Sequence, residues 1–82
     1  MSETTTSVND RIRTVISDIT GIEGMKGDSH FIENEGIDSL EHTEILIELE
    51  KEFNVRIPDD DGIGLMTIDS ISEYLEREHA IL

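Results

Sequence analysis

The chain has 82 residues, with 20 Asp+Glu against 6 Lys+Arg, a formal net charge of −14 and no cysteine. That length allows one domain with a thin core and leaves no room for a large catalytic pocket between domains. The charge repels nucleic acid and anionic membrane surfaces, and the missing cysteine excludes disulfides, thiol nucleophiles and Cys-based zinc sites.

A hydrophobic content of 35% with so much net charge leans toward disorder. The apolar residues nevertheless recur at helical spacing, which predicts a folded helical domain. Residues 1–7 are polar and expected to be flexible, leaving 8–82 as the domain. The opening residues carry neither the basic nor the apolar stretch of a signal peptide. No apolar run approaches the ~18–20 residues of a membrane span. A cytoplasmic monomer without membrane insertion is therefore expected.

Val8, Ile12, Val15, Ile16 and Ile19 draw one helical stripe and predict helix 1 over 8–20. Asn9 and Asp10 stand near its start as capping preferences expect, and Gly21 supplies a C-terminal stop. A loop of about 18 residues follows, a length that is uncommon unless it is functional or anchored. Ile22, Met25, Phe31 and Ile32 are its expected anchors.

Helix 2 is the best-defined element. Asp38 is a good N-cap, Glu41 stands at capping-box spacing, and Asn54 followed by Pro58 ends the helix. Pro58-Asp59-Asp60-Asp61-Gly62 reads as a turn, helical if Pro58 takes its first position. A last helix starts near Ile68–Asp69, with Ile68, Ile71 and Leu75 as its stripe and Tyr74 beside them.

On a helical wheel with Leu40 at zero, Ile45, Leu46, Leu49 and Phe53 fall between roughly 140° and 240° and face the core. Leu40 and Ile47 fall within about 20° of each other on the opposite side, among Glu41, Glu44, Glu48, Glu50 and Lys51. Two stray aliphatics on a solvated face are common. The functional alternative is a docking strip, in which carboxylates steer a basic partner and Leu40 and Ile47 fill small pockets. Ser39 stands in the first turn, where a serine is usually plain capping chemistry. The same helix start favours an anionic group, including a phosphate diester on that hydroxyl.

The run Gly36-Ile37-Asp38-Ser39-Leu40, with Glu41, Glu44, Leu46 and Leu49-Glu50-Lys51-Glu52-Phe53 and then Ile57-Pro58-Asp59, resembles the acyl carrier protein family. Asp38-Ser39-Leu40 matches that family's marker. Phe31-Ile32-Glu33, Thr67-Ile68 and Tyr74-Leu75 extend the resemblance over residues 8–80. It implies an all-α four-helix bundle with a short third helix near 59–65 and a long loop between helices 1 and 2. It also implies a 4′-phosphopantetheine group on Ser39, placed there by a phosphopantetheinyl transferase. Acyl groups would ride on it as thioesters, delivered to synthase and acyl-transferring enzymes with basic docking patches, while the chain itself catalyses nothing. By position, Asp38, Leu40, Glu41, Glu44, Ile47 and Glu48 are the expected partner contacts. The bundle would part between helices 2 and 4 and the loop to shelter a chain.

There are departures from the family. Glu35 stands where a leucine is usual, so either it points to solvent or Ile37 fills part of the gap. His42 falls on the inward side of the wheel, at about 200°. It reads first as a half-buried residue satisfied by hydrogen bonding, and second as a cavity wall. Such departures suggest a specialised carrier.

Rival chemistries fit less well. Asp59-Asp60-Asp61-Gly62 fails as a calcium loop, because Ile57 and Ile68 fall where oxygen ligands belong. Ser39 lacks the following glycine of a nucleophile elbow. His30, His42 and His79 have no metal-ligand spacing. A peptidyl or aminoacyl carrier, and an unmodified acidic adaptor binding a basic partner, remain the alternatives.

Overall fold

The computed structural model describes residues 7–80. The expected flexible terminus, 1–7, thus lies outside the described residues except for Ser7. The described residues form four helices and no strand: α1 (Val8–Thr20), α2 (Ser39–Phe53), α3 (Asp59–Gly62) and α4 (Ile68–His79).

α1 buries Val8, Ile12, Val15 and Ile16, the stripe drawn by periodicity. Its cap is Ser7, whose hydroxyl accepts the Asp10 N–H at 3.1 Å. Asn9 and Asp10 therefore lie inside the helix, in its first turn, because the hydroxyl one residue earlier reaches the free amide. Gly21 ends α1 at φ 79°, its N–H donating to the Ser17 carbonyl. A side chain there would pay the left-handed penalty that glycine avoids.

α1 packs against both α2 and α4. Ile45, Leu49 and Phe53 of α2 and Ile68, Ile71, Tyr74 and Leu75 of α4 complete the buried face. The Arg11 guanidinium clamps α1 to the end of α2. It donates to Glu52 Oε2 and to the Glu52 carbonyl, each at 2.9 Å, and lies 4.3 Å over the Phe53 ring.

The long loop is anchored at both its centre and its end. Met25, Phe31 and Ile37 are buried, with Ile22 packed partly against them. Ile32 is the exception among the expected anchors: it is exposed, because the buried Phe31 turns its neighbour outward. Arg13 Nε donates to the Met25 carbonyl at 2.9 Å. The Phe31 N–H donates to the Met66 carbonyl at 2.8 Å, and the Asp69 N–H to the Gly27 carbonyl at 2.9 Å. The loop is thereby sewn to the segment that leads into α4. Ile37 takes the core position, at 1% exposure. Glu35 is half-buried, and its carboxylate is satisfied by accepting from the Ser29 hydroxyl.

α3 is shorter than the 59–65 expected. Pro58 is its N-cap and not its first residue. The chain continues in tight turns, with Ile63 N–H donating to the Asp59 carbonyl at 3.1 Å and Leu65 N–H to the Gly62 carbonyl at 3.0 Å. The Tyr74 hydroxyl on α4 reaches across to Asp61 Oδ2 at 2.7 Å.

Candidate functional site

The start of α2 is built by its own residues. Asp38 Oδ1 accepts the Glu41 N–H at 2.8 Å, and Glu41 reaches back toward the Asp38 N–H. This capping box fixes the first turn. The first intrahelical bond is His42 N–H to the Asp38 carbonyl at 2.9 Å. The amides of Ser39 and Leu40 precede it and face outward with the positive end of the helix dipole. Ser39 is exposed. An exposed hydroxyl among free amides at a positively polarised helix start fits a covalently attached phosphodiester.

The six expected partner contacts divide by environment. Leu40 is 69% exposed and Ile47 46%, so both stand out of the bundle as the wheel requires. Glu44 and Glu48 are exposed, and Glu48 pairs with Lys51 at 3.3 Å. Asp38 and Glu41 also form the cap, so their carboxylates serve the helix itself. Glu50, grouped with the exposed acids from the wheel, is half-buried: its Oε2 accepts the Ile57 N–H at 2.6 Å. The segment after α2 folds back, and its free amide captures that carboxylate.

A cleft of about 330 Å³ opens beside Ser39, between α2 and the α3 segment. Leu46, Ile47, Ile57, Ile63 and Met66 supply apolar walls, and Ser39 and His42 also line it. Ile63 is 69% exposed and extends the apolar surface formed by Leu40 and Ile47. The α3 wall escaped the wheel, which treats one helix at a time. A signal was present in the bulky apolar pair Ile63 and Met66 flanking Gly64-Leu65, in a segment with no helical stripe of its own.

His42 is 7% exposed, and its Nε2 lies 2.8 Å from the Leu65 carbonyl. It is buried rather than half-buried as expected, it makes the expected hydrogen bond, and it lines the cleft. Among the described residues no group of His, Asp and Glu could hold a metal ion, and no helix is long and apolar enough to cross a membrane.

Residues 10–75 match the family described as "phosphopantetheine attachment site". A protein of Akkermansia muciniphila named acyl carrier protein is 32% identical over 73 residues, covering 87% of this chain and 91% of that relative.

Proposed function

The chain belongs to the acyl carrier proteins, a family that holds phosphopantetheine and is not itself catalytic, and from that premise we propose that Ser39 is the attachment residue. The observation that carries this reading is the exposed Ser39 hydroxyl at the first position of α2, beside an apolar cleft and an acidic, partly apolar helix face. When bound, the group supplies the thiol that the sequence lacks, on an arm long enough to visit several active sites at high effective concentration.

The chain's own residues do the rest. The capping box holds Ser39 at the helix start, where a transferase using coenzyme A reaches its hydroxyl. Glu44 and Glu48 attract basic patches on partner enzymes, while Leu40, Ile47 and Ile63 offer small apolar contacts. Such docking is steered and screened by salt, which suits a carrier that must leave after each reaction. The cleft shelters an acyl chain between visits. The work is that of a cytoplasmic, monomeric carrier in fatty-acid, polyketide or specialised lipid synthesis, with acidity favouring acyl over peptidyl cargo.

The test is intact mass before and after incubation with coenzyme A and a broad-specificity phosphopantetheinyl transferase. The wild-type chain gains one phosphopantetheine increment, and Ser39→Ala gains none while keeping its helical spectrum and its melting temperature. A folded, initially unmodified wild-type chain that gained nothing would move the reading to an unmodified acidic adaptor.

A further inference from the structure

His42 is more than nine-tenths buried, and its ring is fixed by one bond. The Leu65 carbonyl only accepts, so Nε2 carries the hydrogen. In the neutral ring Nδ1 is then an acceptor with its lone pair unused. Among the described residues, His79 Nε2 is the one fully buried side-chain nitrogen or oxygen without a partner. Nδ1 of His42 makes no hydrogen bond there and is not sealed in, so it stays open to the surroundings of the ring. The ring meets Phe31 at 6.0 Å between centroids, and His42 lines the cleft beside Ser39.

Ser39 and His42 are three residues apart, neighbours on one helix face. His42 therefore stands at the end of the cleft nearest the attachment residue. Leu46, Ile47, Ile57, Ile63 and Met66 make most of the remaining wall apolar, with Thr43 next to His42 on α2 and the carboxylates of Glu50 and Asp59 also lining it. A chain whose tail lies along those walls leaves the carbons closest to its thioester at the His42 end. A hydroxyl carried there would be costly in a purely apolar cleft. Opposite an unused acceptor it is matched.

We infer that His42 is a specificity-determining residue, accepting a hydrogen bond from a hydroxyl near the thioester end of the cargo, so that the cleft favours hydroxyacyl over plain acyl chains. This rests on the carrier reading above, and it adds the chemical class of cargo. The hydroxyl donates to Nδ1 while Nε2–H continues to donate to Leu65. No proton is transferred and no bond breaks.

The experiment loads the full chain with octanoyl, 3-hydroxyoctanoyl or 3-methoxyoctanoyl phosphopantetheine, and intact mass verifies loading at Ser39. The rate at which hydroxylamine cleaves each thioester is divided into the rate for the same acyl group on free pantetheine. This ratio is the protection given by the cleft, free of the intrinsic effect of the substituent. On the wild-type chain the hydroxyl is expected to raise protection about two- to tenfold over the methoxy group, which has no hydrogen to donate. In His42→Leu the ratio of hydroxyacyl to acyl protection falls by a similar factor, about two- to tenfold. A purely structural role for His42 would lower protection of all three chains alike and would overturn the inference. Equal protection of hydroxy and methoxy chains on the wild-type protein would overturn it without recourse to any variant, as would no protection of any chain. Failure of the carrier reading is separate: it shows as no mass increment at Ser39, before any protection is measured.

Discussion

Leu46 Cδ1 lies 2.7 Å from the point that a Cβ on Gly62 would occupy. α2 and α3 therefore touch where no side chain separates them, at one wall of the cleft beside Ser39. Real Cβ atoms do not come so close, so Gly62→Ala forces the Leu46 methyl aside. That methyl is the end of a flexible side chain, and alanine is the better helix former by up to about 1 kcal/mol. The net change in stability is expected to stay within about 1 kcal/mol, while protection of a loaded acyl thioester falls. Chemical denaturation and hydroxylamine cleavage measure the two effects. A loss above about 3 kcal/mol would show that the contact is rigid overpacking.

The Tyr74–Asp61 bond joins α4 to α3 and makes stability depend on alkaline pH. Burial comes first in pushing the Tyr74 hydroxyl up to about 12, followed by the hydrogen bond to Asp61 and the negative charges of Asp61 and Glu78, with Arg77 acting in the opposite sense. The fold prefers the neutral phenol. That preference contributes fully below the unfolded value of 10.0 and is lost as pH rises toward about 12. Denaturant midpoints of wild type and Tyr74→Phe, compared between those limits, should converge as pH rises. A constant difference across that window would count against the linkage.

Arg11 joins α1 to the last turn of α2 through an ion pair, a bond to a carbonyl and a stacked ring. Its side chain and that of Glu52 are both more than a third exposed, so screening discounts the ion pair to well under 1 kcal/mol. The ring contact adds about 0.5–1 kcal/mol. Arg11→Ala is expected to cost about 1–2 kcal/mol in all, a fall of roughly 4–15 °C in Tm for a domain this size. Arg11→Lys should recover less than half of it, because an ammonium cannot serve the carboxylate, the carbonyl and the ring at once.

With a net charge of −14, self-repulsion opposes the compact state. Moderate salt is expected to raise the melting temperature of the unmodified chain, since the mutual repulsion of the carboxylates is screened. A melting temperature that fell with added salt would mean that specific pairs such as Glu48–Lys51 outweigh the repulsion.

What could be read from the sequence follows the range of each signal. Periodicity and capping chemistry are local, and they placed α1, the capping box of α2 and the stripe of α4. The outward pair Leu40 and Ile47 was legible for the same reason, since a wheel needs one helix only. The proposal for Ser39 rests on the run around it, because a lone serine at a helix start is ordinary capping chemistry. Contacts between segments distant in the chain were not legible. Nothing local says that Glu50 turns to the Ile57 amide, that Ile32 is turned out, or that α3 supplies a wall of the cleft. His42 lay between the two cases: its inward direction followed from the wheel, and its partner Leu65, 23 positions on, did not.

α3 is held differently from the rest of the bundle, and this bears on how the cleft breathes. The loop before α2 is sewn to the entry of α4 through Phe31–Met66 and Gly27–Asp69, and the longer helices share the main core. The α3 segment is tied by Glu50 to Ile57 on one side and by Tyr74 to Asp61 on the other, with the buried Leu65 behind it. Local opening needs only the bonds at the hinge of the moving piece, and its free energy lies below that of global unfolding. The amides of Ile63 and Gly64 should therefore exchange their hydrogens with solvent ahead of those of Ile45 and Leu49. The capping box at Ser39 and the α2 residues Leu40 and Ile47 should keep their places through such an excursion, while Ile63 moves with the α3 segment and returns with it.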